Sequence, residues 1–214
     1  MSNEKQDAIS DIVDDMKRDC PAMHMDDARN TAGQAERGRQ DDTMIDTDKP
    51  ILDACCGSRM FWKDHHNPNV LYVDNRVLKC QAIWKSNDGR STRYCTVEPD
   101  IVADFTALPF ADNTFWHVVF DPPHLVNVGK TSWMAKKYVR LDRYEWTKTI
   151  RRGFDECWRV LKTNGTLVFK WGQRDISIER VLEAVGREPL YGHITGKGHN
   201  TLWAVYVKME GETK

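Results

Sequence analysis

The chain has 214 residues, carries 31 Lys/Arg against 32 Asp/Glu for a formal charge of −1, and is 40% hydrophobic. That length allows one substantial core and is short for two ordinary domains. No apolar run approaches the ~18 residues of a membrane span and the N-terminus has no apolar signal-peptide core, so a cytoplasmic protein without a membrane partner is expected.

The charge is unevenly spread. Residues 1–49 hold seven Lys/Arg against thirteen Asp/Glu, a net −6, which leaves +5 on residues 50–214. The first segment is polar and poor in aromatics, the composition of a mostly disordered acidic tail. Its one helical spacing is Ile9, Ile12, Val13 and Met16. The basic body suits a nucleic-acid partner. Six cysteines (Cys20, Cys55, Cys56, Cys80, Cys95 and Cys157) are scattered through the chain and are expected as reduced thiols. With no C-x2-C or H-x3-H pair, no metal site is expected.

From Pro50 the pattern becomes strand–helix alternation. Ile51–Ala54 is a short apolar run that ends in Cys55-Cys56-Gly57-Ser58. Val70–Val73 closes on Asp74-Asn75, Ile101–Ala103 on Asp104, and Val118–Phe120 on Asp121-Pro122-Pro123. Continuous rather than alternating runs of this kind suit strands of a parallel sheet. Ile150, Phe154, Trp158 and Leu161 make a helical stripe, Asn164-Gly165 breaks it, and Thr166–Trp171 reads as a strand. Ile178, Val181, Leu182 and Val185 predict another helix, and Leu190–Ile194 with Leu202–Lys208 an antiparallel pair. The sum is an α/β fold, Rossmann-like and doubly wound, with a mostly parallel seven-stranded sheet and a C-terminal antiparallel pair.

Several segments resemble landmarks of the class I S-adenosylmethionine-dependent methyltransferases. Ile51–Ser58 is similar to that family's first strand and glycine loop, and Asp74 follows Asp53 by twenty-one residues at the end of the second strand. Leu108–Phe115 and Cys157–Leu167 are similar to the stretches that lead into its fourth and fifth strands. Asp121-Pro122-Pro123-His124 resembles the Asp/Asn-Pro-Pro-aromatic motif of the amino-methyltransferases, and residues 50–208 as a whole resemble small, stand-alone methyltransferases of bacteriophage and bacterial genomes. Two departures stand out. Cys55 replaces the usual first glycine of the loop, and His124 replaces the commoner Tyr, Phe or Trp.

The resemblance implies S-adenosylmethionine as cofactor, held by Asp53, Ala54, Cys55, Gly57 and Ser58, by Asp74 and Asn75, and by Asp104 and Phe105. Gly57 admits close backbone approach, Asp53 faces the methionine ammonium, Asp74 accepts the ribose hydroxyls and Asp104 the adenine amine. Acidic residues at strand ends are also common turn formers. The resemblance assigns catalysis to Asp121, Pro122, Pro123 and His124. A carboxylate and a proline carbonyl can accept both N–H bonds of an exocyclic amine and align its lone pair, while His124 stacks on the ring or shuttles the proton. No Pro-Cys dipeptide exists for a covalent pyrimidine mechanism.

Residues 125–149 form a basic and aromatic loop after this turn, with Lys130, Trp133, Lys136, Lys137, Tyr138 and Arg140 as candidate substrate contacts. The same composition also suits a solvated face with core-anchoring aromatics. No separate target-recognition domain is evident, so specificity comes from this loop, from a second subunit in a homodimer, or is low. Transfer to an exocyclic base nitrogen, adenine N6 favoured, is the leading expectation. The alternatives are a small-molecule or protein-amide methyltransferase and a non-catalytic regulator that binds S-adenosylmethionine. A nicotinamide dehydrogenase is disfavoured, because Gly-x-Gly-x-x-Gly is absent.

Overall fold

Short runs such as Val70–Val73 are apolar on both sides of the strand, so they are stable only when flanked by other strands and covered above and below. In the computed structural model, which describes residues 44–196 and 200–211, they pair into one sheet. Its strands are β1 (Ile51–Asp53), β2 (Val70–Asp74), β5 (Ile101–Val102), β6 (Phe115–Phe120), β7 (Leu161–Gly172), β8 (Tyr191–Thr195) and β9 (Thr201–Val207). Their order is β5-β2-β1-β6-β7-β9-β8, parallel except at β9, which runs antiparallel to both neighbours. The expected mostly parallel seven-stranded sheet and C-terminal antiparallel pair are therefore present.

Winding proceeds outward from β1 through β2 to β5 and then returns to the other side of β1 at β6. The gap between β1 and β6 is thus the point where the winding direction reverses, and a crevice opens there at the carboxyl ends of the strands. Three residue pairs are in register across this seam: Ile51 with His117, Leu52 with Val118 and Asp53 with Val119.

Three helices are described: α1 (Trp133–Tyr138), α2 (Trp146–Val160) and α3 (Ile178–Val185). The stripe Ile150, Phe154 and Trp158 is buried on α2, and α2 packs on α3 and on β6 and β7. Both cover the sheet face that carries Leu167, Phe169, Trp171, Leu202, Ala204 and Tyr206. On the opposite face Thr166, Val168, Lys170, Trp203 and Val205 are only half-buried. Leu161 belongs to β7 rather than to the helix, so α2 passes directly into the strand. Asn164, at φ +64°, bends the strand instead of ending an element.

The first two connections depart from strand–helix alternation. After β1, residues 59–69 run as turns pinned by Arg59, whose guanidinium donates to the His65 and Glu98 carbonyls and lies 3.9 Å over the Tyr72 ring. After β2 comes a separate antiparallel hairpin, β3 (Leu78–Lys85) with β4 (Thr92–Val97). The signal for it was Asp88-Gly89 between β-prone runs, with Gly89 at φ +71°.

Cys55, Cys56, Cys95 and Cys157 are free thiols, whereas Cys80 on β3 is disulfide-bonded, which corrects the all-thiol expectation. The expectation had rested on compartment and cysteine spacing alone, and neither measures which thiols a fold brings together. Residues 44–49, assigned to the tail from composition, bond to the body: Ile45 N–H donates to the Pro109 carbonyl and Lys49 Nζ to the Val70 carbonyl and Asp100. The helical spacing at Ile9–Met16 lies outside the described residues. No described helix is long and apolar enough to cross a membrane.

Candidate active site

A cavity of about 380 Å3 occupies the crevice at the β1–β6 seam. Strand ends build it. The β1 turn supplies Asp53 to Ser58, β2 supplies Asp74, Asn75 and Arg76, the segment after β5 supplies Asp104 and Phe105, and β6 supplies Asp121 to His124. Every residue expected to bind cofactor or carry catalysis lines this one space. Of the candidate substrate contacts, Lys137, Tyr138 and Arg140 line it as well. Lys130 and Lys136 are exposed outside it, and Trp133 packs against the β3–β4 hairpin instead.

Asp53 is 1% exposed. Its carboxylate accepts from Trp62 Nε1 at 2.7 Å and from the Cys55 N–H at 3.3 Å. Burial pushes its pKa up to about 7, with Asp121 and Asp74 adding like-charge repulsion against the two hydrogen bonds. The chain then turns at Gly57, φ +51°, with open space where a side chain would stand. Cys55 is not in the left-handed region, which explains why a side chain is tolerated where the glycine loop usually carries its first glycine. Burial holds the Cys55 and Cys157 thiols well above their ordinary range, so neither presents a thiolate nucleophile.

Asp74 is heavily engaged. Its Oδ2 accepts from the Gly57 N–H at 3.0 Å, and its Oδ1 from the Arg76 N–H and Nε, both at 3.0 Å. The Arg76 guanidinium also reaches the Lys136 and Lys137 carbonyls at the end of α1. Asp104 accepts from Thr106 N–H and hydroxyl, both at 2.8 Å, so the turn-forming and ligand-facing readings of this residue coexist.

Asp121 forms an ion pair with Lys170, which reaches across from β7. The His124 ring lies between Tyr138 and Trp171, with centroids 6.2 and 6.1 Å away, and Gly172 admits it: a Cβ there would stand 3.1 Å from His124 Nε2. Burial lowers the His124 pKa against the opposing pull of Asp121, so the imidazole is neutral at physiological pH. Asp175 fixes the chain beyond it by accepting from the Val126 and Asn127 N–H groups, both at 2.8 Å. Val139, φ +62°, ends α1 at the cavity wall.

Sequence reading missed Met60, Phe61, Arg76 and Lys170 in the cavity wall, and Trp62 behind Asp53. Lys170 had a signal, a lone cation inside the apolar run Leu167–Trp171. Among the described residues no group of three or more His, Cys, Asp or Glu is arranged to hold a metal ion.

No protein-family model matches the chain, and no curated protein matches it. Among solved structures it is similar to the PH0226 protein from Pyrococcus horikoshii OT3, at 15% identity over 74% of this chain and 81% of that one, with a TM-score of 0.45. It is also similar to a TehB-like SAM-dependent methyltransferase from Corynebacterium glutamicum, at 20% identity over 78% and 84%, with a TM-score of 0.44. A SAM-dependent methyltransferase from Leishmania major is similar at 15% identity over 72% and 63%, with a TM-score of 0.41.

Proposed function

We propose that this chain is an S-adenosylmethionine-dependent methyltransferase whose acceptor is an exocyclic amino nitrogen of a nucleic-acid base, adenine N6 first. The observation that carries this reading is the meeting of Asp121-Pro122-Pro123-His124 with the Asp53–Ser58 turn in one cavity. The residues present fit the cofactor. Asp53 is a buried carboxylate whose charge burial disfavours, and a cation beside it relieves that penalty. Gly57 leaves open space for a close ligand. Asp53, the Gly57 turn, Asp74 and Phe105 would hold S-adenosylmethionine, which when bound supplies a methyl group activated by sulfonium.

The chain's own residues prepare the acceptor. The Asp121 carboxylate and the Pro122 carbonyl accept the two N–H bonds of the amine, which draws its lone pair out of conjugation with the ring. Lys170 fixes the Asp121 carboxylate from the facing strand. His124, uncharged, offers a flat ring for the base and a nitrogen for the proton released after transfer.

The test is incubation with methyl-labelled S-adenosylmethionine and DNA or RNA, followed by digestion to nucleosides. The expected product is N6-methyladenine, with Asp121→Ala reducing turnover by about 10² or more and Asp121→Asn by less. Label confined to small molecules or protein would overturn the nucleic-acid acceptor, and wild-type turnover by Asp121→Ala would remove Asp121 from the chemistry.

A further inference from the structure

The β3–β4 hairpin, which connects β2 to β5 along the chain, has a very small core of its own. Ile83, Cys95 and Val97 are buried, with Leu78 beside them, and Trp133 of α1 completes the cluster. An isolated two-stranded hairpin is marginal in water, so this one depends on α1 for its packing. The Arg93 guanidinium strengthens the join, lying 5.2 Å over the Trp84 ring and 5.3 Å over the Trp133 ring. At the hairpin's base Arg76 binds the α1 carbonyls and Asp74 together. Hairpin and α1 therefore form one structural unit, and the end of α1 is part of the cavity wall.

The solvent side of this unit has a consistent chemistry. Residues 78–97 carry Lys79, Lys85, Arg90 and Arg93 against Asp88 alone, whose carboxylate is taken by Ser86 and Arg90. Tyr94 is 53% exposed and Trp84 36%, on strands that leave about half of their residues in solvent. The neighbouring residues 125–145 add five cations against Asp142 and Glu145. Cations alone would suit any polyanion. Cations alternating with exposed rings fit a nucleic-acid strand, with phosphates on the charges and bases stacked on the rings.

We infer that the β3–β4 hairpin is the target-binding arm of this protein. It holds the strand that flanks the modified nucleotide, with Lys85 and Arg90 on phosphates and Tyr94 under a base. This rests on the nucleic-acid acceptor proposed above, and it places recognition on an element outside both the cofactor loop and the Asp-Pro-Pro-His turn.

The test is fluorescence-anisotropy binding of a labelled single-stranded 16-mer DNA to the full chain over a salt series. Lys85→Ala with Arg90→Ala is expected to weaken binding about tenfold and to reduce the log–log salt slope by about 1.4, at ~0.7 per lost phosphate contact. Tyr94→Ala is expected to weaken it about tenfold with the slope unchanged. All variants should keep the wild-type thermal shift with S-adenosylmethionine, which shows that the fold and cavity are intact. If the wild type binds the oligonucleotide and these variants bind it equally well, the hairpin is a bystander, the proposal falls and the nucleic-acid reading survives. If only the cation variants weaken binding, the surface is a general polyanion site, such as one for an acidic protein, and the proposal also falls. If the wild type binds neither this DNA nor its RNA counterpart, both readings fall together.

Discussion

Asp53 shows how one buried carboxylate ties cofactor chemistry to stability. In the folded chain burial raises its pKa to about 7, whereas the unfolded chain ionises near 3.8. Between those values the folded state keeps a proton that the unfolded state has released, so this group's contribution to stability falls as pH rises from about 4 to about 7, then levels off. Asp53→Asn removes the titration yet keeps an oxygen for Trp62 Nε1, so urea midpoints of wild type and variant should lie close together near pH 4 and diverge as the pH rises through that window, the variant becoming the more stable. The affinity for S-adenosylmethionine should move the other way in the wild type, rising as pH climbs toward 7 and levelling off above it, because a cation favours the carboxylate. Calorimetry across pH 5.5–8.5 reads this, and a pH profile identical in Asp53→Asn would show that another group titrates. The residues that face the ligand were mostly legible in the sequence, because strand-end Asp, Gly and Pro carry both turn geometry and chemistry. Trp62 and Arg76 were not. Trp62 reaches Asp53 out of the irregular turns after β1, and Arg76, though only two residues beyond Asp74, also ties to the α1 carbonyls, which no local spacing encodes.

Among the elements, β7 serves both core and site, since its apolar face packs in the interior while Lys170 and Gly172 shape the cavity around His124. Strand periodicity announced the first role, and the second becomes visible only when β6 is laid beside it in register. Gly172→Ala would place a methyl 3.1–3.2 Å from the His124 ring, tight enough to move the ring by a few tenths of an ångström. A misplacement of about 1 Å can cost ~10²-fold in rate, so a several-fold fall in kcat is expected, with cofactor binding unaltered. In a His124→Ala background the same substitution should cost almost nothing, since the clashing partner is gone. An equal loss in both backgrounds would show that Gly172 acts through the strand rather than the ring. The helices α2 and α3 and the inner sheet strands were legible because their apolar spacing is set by burial, whereas the exposed edge strand β8 was legible as the partner of β9 across a polar loop. The turns at 59–69 were not, because they hold few buried residues and depend on single contacts such as Arg59 over Tyr72; the hairpin had only its Asp88-Gly89 turn as a signal, since it too buries few residues and leans on contacts such as Trp133 under Arg93.

At the scale of the whole molecule the cavity lies at the seam where the winding of the sheet reverses. β1 is three residues long and meets β6 through three pairs, while the wall of the cavity draws on both halves of the sheet. A ligand that touches Asp53 and Asp74 on one side and the Asp121 turn on the other therefore bridges the two halves. Binding to the folded chain alone stabilises it by RT ln(1 + [L]/Kd), about 2.7 kcal/mol at a hundredfold excess over Kd. For a domain of this size ~1 kcal/mol moves Tm by roughly 2–4 °C, so saturating S-adenosylmethionine or its demethylated product should raise Tm by about 5–11 °C. Asp74→Ala removes an acceptor on one side of the seam and also frees Arg76 from its ion pair, so it should abolish most of that shift. Arg76→Ala separates the two effects. It leaves the Asp74 carboxylate in place beside the Gly57 N–H, so the cofactor shift should persist while the tie to the α1 carbonyls is lost. Differential scanning calorimetry on the three proteins, with and without ligand, decides the matter. If millimolar S-adenosylmethionine gives neither a shift in the wild type nor heat in a titration, the cavity does not hold this cofactor and the methyltransferase reading fails with it.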